Sequence, residues 1–190
     1  MRNFEPWIGS EYQAEGIDGL RVLILGESHY GAPPERPSFT SEIIAKWGQR
    51  KRSKFFTVTQ RLVSLDASRG YVPMHSRREF WEKVAFYNYV QKFVGTKARQ
   101  RPTAEHWENA KQPLLLTIQE LKPDVLVVLG KETEAHLPTL PSHIPVAYVS
   151  HPSGRGFSYN KWQPVVRAAF EHAKNGTQQN HGEKGGRPQF

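Results

Sequence analysis

The sequence predicts an α/β fold: a three-layer α/β/α sandwich around a central, mainly parallel sheet of four strands. Two observations carry this expectation. Four short runs, at 21–25, 84–87, 124–129 and 146–149, are nearly unbroken in Val, Leu, Ile, Ala, Phe and Tyr. Alternation would mark a strand with one wet face, whereas continuous apolar runs suit parallel strands covered on both faces. Helical patterns lie between the runs, and strands alternating with helices imply right-handed crossovers and helical layers on both sides.

The elements follow in order. The first strand stops at Gly26, and helical patterns at 41–47 and 55–65 come next. A short helix at 77–83 leads into the second strand, which runs into Asn88. The clearest helix is 105–121, with Leu114, Ile118 and Leu121 at helical spacing, Thr103 placed to cap its start and Pro123 to stop it. The third strand stops at Gly130, a short helix spans 132–137, and the fourth strand runs into Ser150 and His151. A helix at 160–174 closes the domain, with Trp162, Val165, Val166, Ala169 and Phe170 as its apolar stripe. Residues 1–174 therefore read as one domain. Residues 175–190, rich in Gly, Gln, Asn and charge, read as a flexible tail.

Composition narrows the function classes. The 190 residues suffice for a core without staples. The chain has no cysteine, which excludes a disulfide framework, a thiolate zinc site and a cysteine-held iron–sulfur cluster, and suits a cytoplasmic protein. Residues 1–7 do not pair a charged head with an apolar stretch, so no signal peptide is expected. No apolar run approaches the roughly 20 residues that cross a bilayer. The eight histidines are scattered, without metal-site spacing, so neither metal nor cofactor is expected. Net charge is +8, with basic clusters at 50–54, 77–78 and 97–101. Such a surface attracts polyanions and points toward nucleic acid, although a solvated surface has the same composition.

Ligands of open α/β sheets sit beyond the carboxyl ends of the strands. Here those ends carry Glu27, Asn88 and His151, so a carboxylate, an amide and an imidazole are expected to converge at one rim. The motifs in question are Gly26-Glu27, then Phe86-Tyr87-Asn88, then His151-Pro152-Ser153-Gly154, then Asn160-Lys161-Trp162. In this order, over about 19–170, they resemble the uracil-DNA glycosylase superfamily. Residues 122–130 also look like that family's third core strand.

The resemblance implies a monomeric, cofactor-free enzyme that cleaves a base from DNA at a flipped or unpaired nucleotide. It implies a catalytic pair, Glu27 and His151: the acid to position water and stabilise the sugar cation, the imidazole to stabilise the departing base. Asn88 would read the base edge, Phe39 would stack on it, and Tyr30 would exclude a thymine methyl group. Ser153, Arg155, Phe157 and Lys161 would touch nucleic acid, with Arg155 and Phe157 as wedges. Each residue also has a plainer role. His151 can serve a tight turn, Glu27 a salt bridge, Asn88 a strand end, Phe39 the core and Tyr30 a local contact. The segment 154–159 can be a simple solvent loop.

The motifs depart from the family in three places. The catalytic Asp of its best-known branch aligns with Ser28. Glu27 matches the acid of the iron–sulfur branches, whose cluster this cysteine-free chain cannot hold. Gly154 stands where a proline is usual. Two alternatives follow: a catalytically silent nucleic-acid-binding module of the same fold, and an esterase of the Ser-Gly-Asn-His type using Ser28, Asn88 and His151. The latter lacks an acid at position 148, which is Tyr148.

Overall fold

The computed structural model describes residues 2–66, 68, 70–97 and 100–182, with side chains to 176. The fold is α/β, but the sheet has five strands rather than four, in the order β1-β3-β2-β4-β5. The expected four are β2 (Val22–Gly26), β3 (Val84–Asn88), β4 (Val125–Leu129) and β5 (Val146–Val149). All pair in parallel. The addition is β1 (Trp7–Ile8), antiparallel to β3 at the sheet edge. Two residues are too few to produce a periodic signal, so this strand exists only through its pairing partner.

β2, β3 and β4 are buried along their whole length. Their side chains alternate between two cores. One holds Val22, Ile24, Phe86, Val127 and Val149 and is covered by α2 (Lys54–Val63), α3 (Met74–Glu82) and α6 (Tyr159–Gly182). The other holds Leu23, Leu25, Tyr87, Leu126 and Val128 beneath α4 (Ala104–Leu121). Burial on both faces explains the unbroken apolar runs.

The helix expected at 41–47 is longer: α1 (Phe39–Ile43) continues as a π-helical segment, Ile44–Arg50, in which Lys51 N–H donates to the Lys46 carbonyl at 2.7 Å. Gly48 lies against the Trp81 indole, where a Cβ would stand 3.0 Å from its ring nitrogen. At α4 the Thr103 hydroxyl accepts from His106 N–H at 3.3 Å, while His106 Nδ1 accepts from Thr103 N–H at 3.1 Å. This reciprocal cap satisfies two otherwise orphaned donors. The helix ends at Leu121, followed by Lys122 in the left-handed region at φ 47°. Pro123 then forbids another turn. A short helix, α5 (Lys131–Ala135), follows β4.

The expected tail at 175–190 is helical as far as Gly182, because α6 runs on past the domain's last core contact; the remainder lies outside the described residues. Among the described residues, no helix is long and apolar enough to cross a membrane.

Candidate functional site

The register of the parallel strands sets the rim. Gly26 pairs with Asn88, and beyond the strands Tyr89 N–H donates to the Gly26 carbonyl and Val90 N–H to that of Glu27. The acid-bearing and amide-bearing strand ends are therefore adjacent. Gly26 leaves the space that the amide occupies: a Cβ there would lie 2.1 Å from Asn88 Oδ1, so the amide would have to shift.

From this rim the two side chains diverge. Asn88, 6% exposed, turns toward α1. Its Nδ2 lies 3.0 Å from His29 Nδ1, and His29 Nε2 lies 3.0 Å from Thr40 Oγ1. His29 is boxed by Phe4 and Phe39, edge-on at 4.9 and 5.0 Å, and Phe93 closes on both phenyl rings. Burial holds the His29 imidazole down at about 3, so the ring is neutral.

Glu27 turns toward α4 and α5. Its side chain is 10% exposed and accepts from Arg101 at 2.9 Å. Burial raises the Glu27 carboxyl above its ordinary range, Arg101 opposes that, and Glu132 adds to the rise. His136, which also lowers the Glu27 carboxyl, stacks flat on Trp107 at 4.5 Å and donates its Nδ1–H to the Glu132 carbonyl at 2.9 Å.

His151 follows β5 and stands against Gly130, whose added Cβ would be 3.8 Å from His151 Cβ. Its ring meets that of Phe55 at 5.3 Å, and Phe55 packs edge-on to Phe86 of β3. Ser153 N–H donates to His151 Nδ1 at 3.2 Å. Burial first, then the charge of Arg101, lowers the His151 imidazole. Arg101 thus acts on both Glu27 and His151.

The carboxyl rim therefore gathers Glu27, Asn88 and His151 in one region, with the amide and the acid directed to different sides. Phe39 is half-buried in the aromatic box beside Asn88, with the Arg36 guanidinium 5.0 Å over its face. Tyr30 is 39% exposed, next to His29. Ser153 and Arg155 are exposed on the loop after β5, and Lys161 lies 4.6 Å over the Trp162 ring at the start of α6. Phe157 packs against the core and edge-on to Tyr159 at 5.4 Å, so insertion as a wedge would require it to leave that seat.

Sequence reasoning missed His29, Thr40, Phe55, Arg101 and His136. His29 and Arg101 had a visible signal, one two residues after Glu27 and the other in the basic cluster at 97–101, but nothing in the sequence says that they face Asn88 and Glu27. Among the described residues, no group of three or more His, Asp or Glu side chains is arranged to hold a metal ion. A separate cleft of about 840 Å³ lies at the opposite, amino end of the strands, lined by Arg21, Asp124, Ile144 and His172 among others. Neither Glu27, Asn88 nor His151 lines it. No family model matches the chain, and no curated protein matches it in sequence.

Proposed function

We propose that the chain is a DNA base-excision glycosylase-like protein that hydrolyses the N-glycosidic bond of uracil or another deaminated base. The observation that carries this reading is the state of His151. Its Nδ1 accepts from Ser153 N–H, so the neutral ring bears its proton on Nε2. Desolvation and the nearby Arg101 charge both lower this imidazole's affinity for a second proton, which favours the neutral donor.

Cleavage breaks the C1′–N bond and leaves the electron pair on the base, with positive charge on the sugar. A fixed N–H donor beside the departing oxygen stabilises the base anion. Glu27 supports the sugar cation, orients the water that bonds to C1′ and accepts its proton. Asn88 reads the base edge with Phe39 and Tyr30 beside it, and Ser153, Arg155, Phe157 and Lys161 contact the strand. Bases that are already unpaired cost least to extrude.

One contact favours the second reading, a silent nucleic-acid-binding module: the Glu27 carboxylate is occupied by Arg101 at 2.9 Å. The esterase reading loses ground at Ser28, whose Oγ is buried with no hydrogen-bond partner among the described residues. A nucleophilic serine needs a histidine in hydrogen-bond reach.

The test is incubation with single- and double-stranded oligonucleotides carrying uracil, hypoxanthine, xanthine or methylated bases. Abasic sites that disappear in Glu27→Gln and His151→Ala support the enzyme. Salt-sensitive binding without abasic sites supports the module.

A further inference from the structure

Resting on the reading of the rim as a nucleic-acid site, we propose that the basic segment between the π-helical turn and the start of α2 is a track for an unpaired DNA strand beside that site, with Tyr71 as a stacking platform for one of its bases. The track is separate from the loop that carries Ser153, Arg155 and Phe157.

Residues 43–65 carry six cations, Lys46, Arg50, Lys51, Arg52, Lys54 and Arg61, and no acid, so most of the net charge of +8 lies in this stretch. Lys46, Arg50, Lys51, Arg52 and Lys54 are exposed, and among the described residues no acid pairs with them. Acids on neighbouring segments face other partners: Glu82 accepts from Gln49 Nε2 and Ser10 N–H, and Asp66 from Ser68. Arg77, 4% exposed, adds a positive charge beneath the segment. Its Nη2 donates to the Arg50 carbonyl at 3.1 Å, and its Nε and Nη1 have no hydrogen-bond partner among the described residues. Like charges gathered in this way repel one another, and a string of phosphates relieves that repulsion.

Aromatic rings lie among the cations. Lys46 and Lys51 stand 5.1 and 5.6 Å from the centre of the Trp47 ring, and the Arg52 guanidinium stands 5.1 Å over Tyr71. Cation–π attraction holds these long side chains, so they lose less freedom on meeting a phosphate. Tyr71 is 60% exposed even with Arg52 over its ring, which leaves a face open to a base. A duplex keeps its base faces stacked inside; an unpaired strand offers them to such a ring.

The fold joins this surface to the rim. Lys54 opens α2, and the next residue, Phe55, meets the His151 ring at 5.3 Å. Farther along α2, Arg61 Nη2 donates to the carbonyl of Gly70, beside Tyr71, at 2.6 Å, and Gln163 of α6 donates to the Arg61 carbonyl at 3.1 Å. One helix therefore holds the last cation of the segment next to His151 and ties the platform to α6.

Fluorescence anisotropy of the full chain with labelled oligothymidylate, single-stranded or paired with oligodeoxyadenylate, tests the track. The single strand should bind more tightly. The double variant Lys51→Gln, Arg52→Gln should flatten the slope of log affinity against log salt by about 1.4, and Lys122→Asn, at the opposite end of the strands, should leave it unchanged. Tyr71→Ala should weaken the single strand about tenfold and the duplex little, while Tyr71→Phe keeps wild-type binding. Equal affinity for both forms, a slope unmoved in the double variant, or an equal flattening per charge in Lys122→Asn overturns the proposal. Oligothymidylate holds no deaminated base, so the two readings fail separately. Uracil excision with an unmoved slope overturns the track and keeps the glycosylase; a flattened slope without excision supports the track and removes the glycosylase.

Discussion

Mild acid should destabilise this protein through the buried imidazole of His29. His29 is 5% exposed, and burial lowers its imidazole from an ordinary value of 6.5 to about 3. The unfolded chain therefore binds a proton at this residue below about pH 6.5, while the folded chain does not. Stability from His29 is complete above the unfolded value and is lost as pH falls toward the folded one. Each pH unit in that window costs about 1.4 kcal/mol, so lowering pH to about 5 removes about 2 kcal/mol. Domains of this kind hold about 5–15 kcal/mol in total, so the loss is measurable. His151, also lowered, adds a loss of the same sign. Glu27, raised, works the other way, because the folded state takes up its proton more readily. A comparison with His29→Asn cancels both. Urea unfolding followed by tryptophan fluorescence between about pH 7.5 and 5 should show the wild type losing about 2 kcal/mol more than the variant. Parallel stability curves would refute the assignment of a buried, neutral His29.

The other expectations concern the same rim and its supports. Gly26→Ala places a methyl 2.1 Å from Asn88 Oδ1, so it should cost about 1–3 kcal/mol in thermal or urea unfolding; an unchanged melt would show that the amide has room to move. Arg101→Ala removes a charge that lowers both Glu27 and His151, so both groups should rise and the acid limb of the excision profile should shift to higher pH. A profile that does not move would separate Arg101 from the chemistry. Thr103→Ala removes the reciprocal cap of α4 and should cost about 1 kcal/mol without altering base preference, as read by urea unfolding and excision in parallel.

The amino-acid sequence by itself determined the architecture's central part. Unbroken aliphatic runs can be buried only by helices on both faces, so four parallel strands and their covering helices were legible, and Val146–Val149 falls where its pattern put it. The adjacency of the strand ends was legible for the same reason, since parallel strands bring their carboxyl ends together whatever residues follow, but the expected convergence was not met by the acid and the amide, which turn to Arg101 and to His29 respectively. Tertiary structure decided the rest. Trp7–Ile8 becomes a strand only because β3 offers an unpaired edge. His29 is a buried, neutral histidine rather than one more loop histidine because the phenyl rings of Phe4 and Phe39 meet it edge-on and Phe93 packs on both of them. Arg101, one of many surface cations by sequence, meets Glu27 across 74 positions of chain. Periodicity reports which face of an element is apolar. It carries no information about which polar atoms, distant in sequence, lie within hydrogen-bond reach, and that proximity sets the charge and direction of every group at the site.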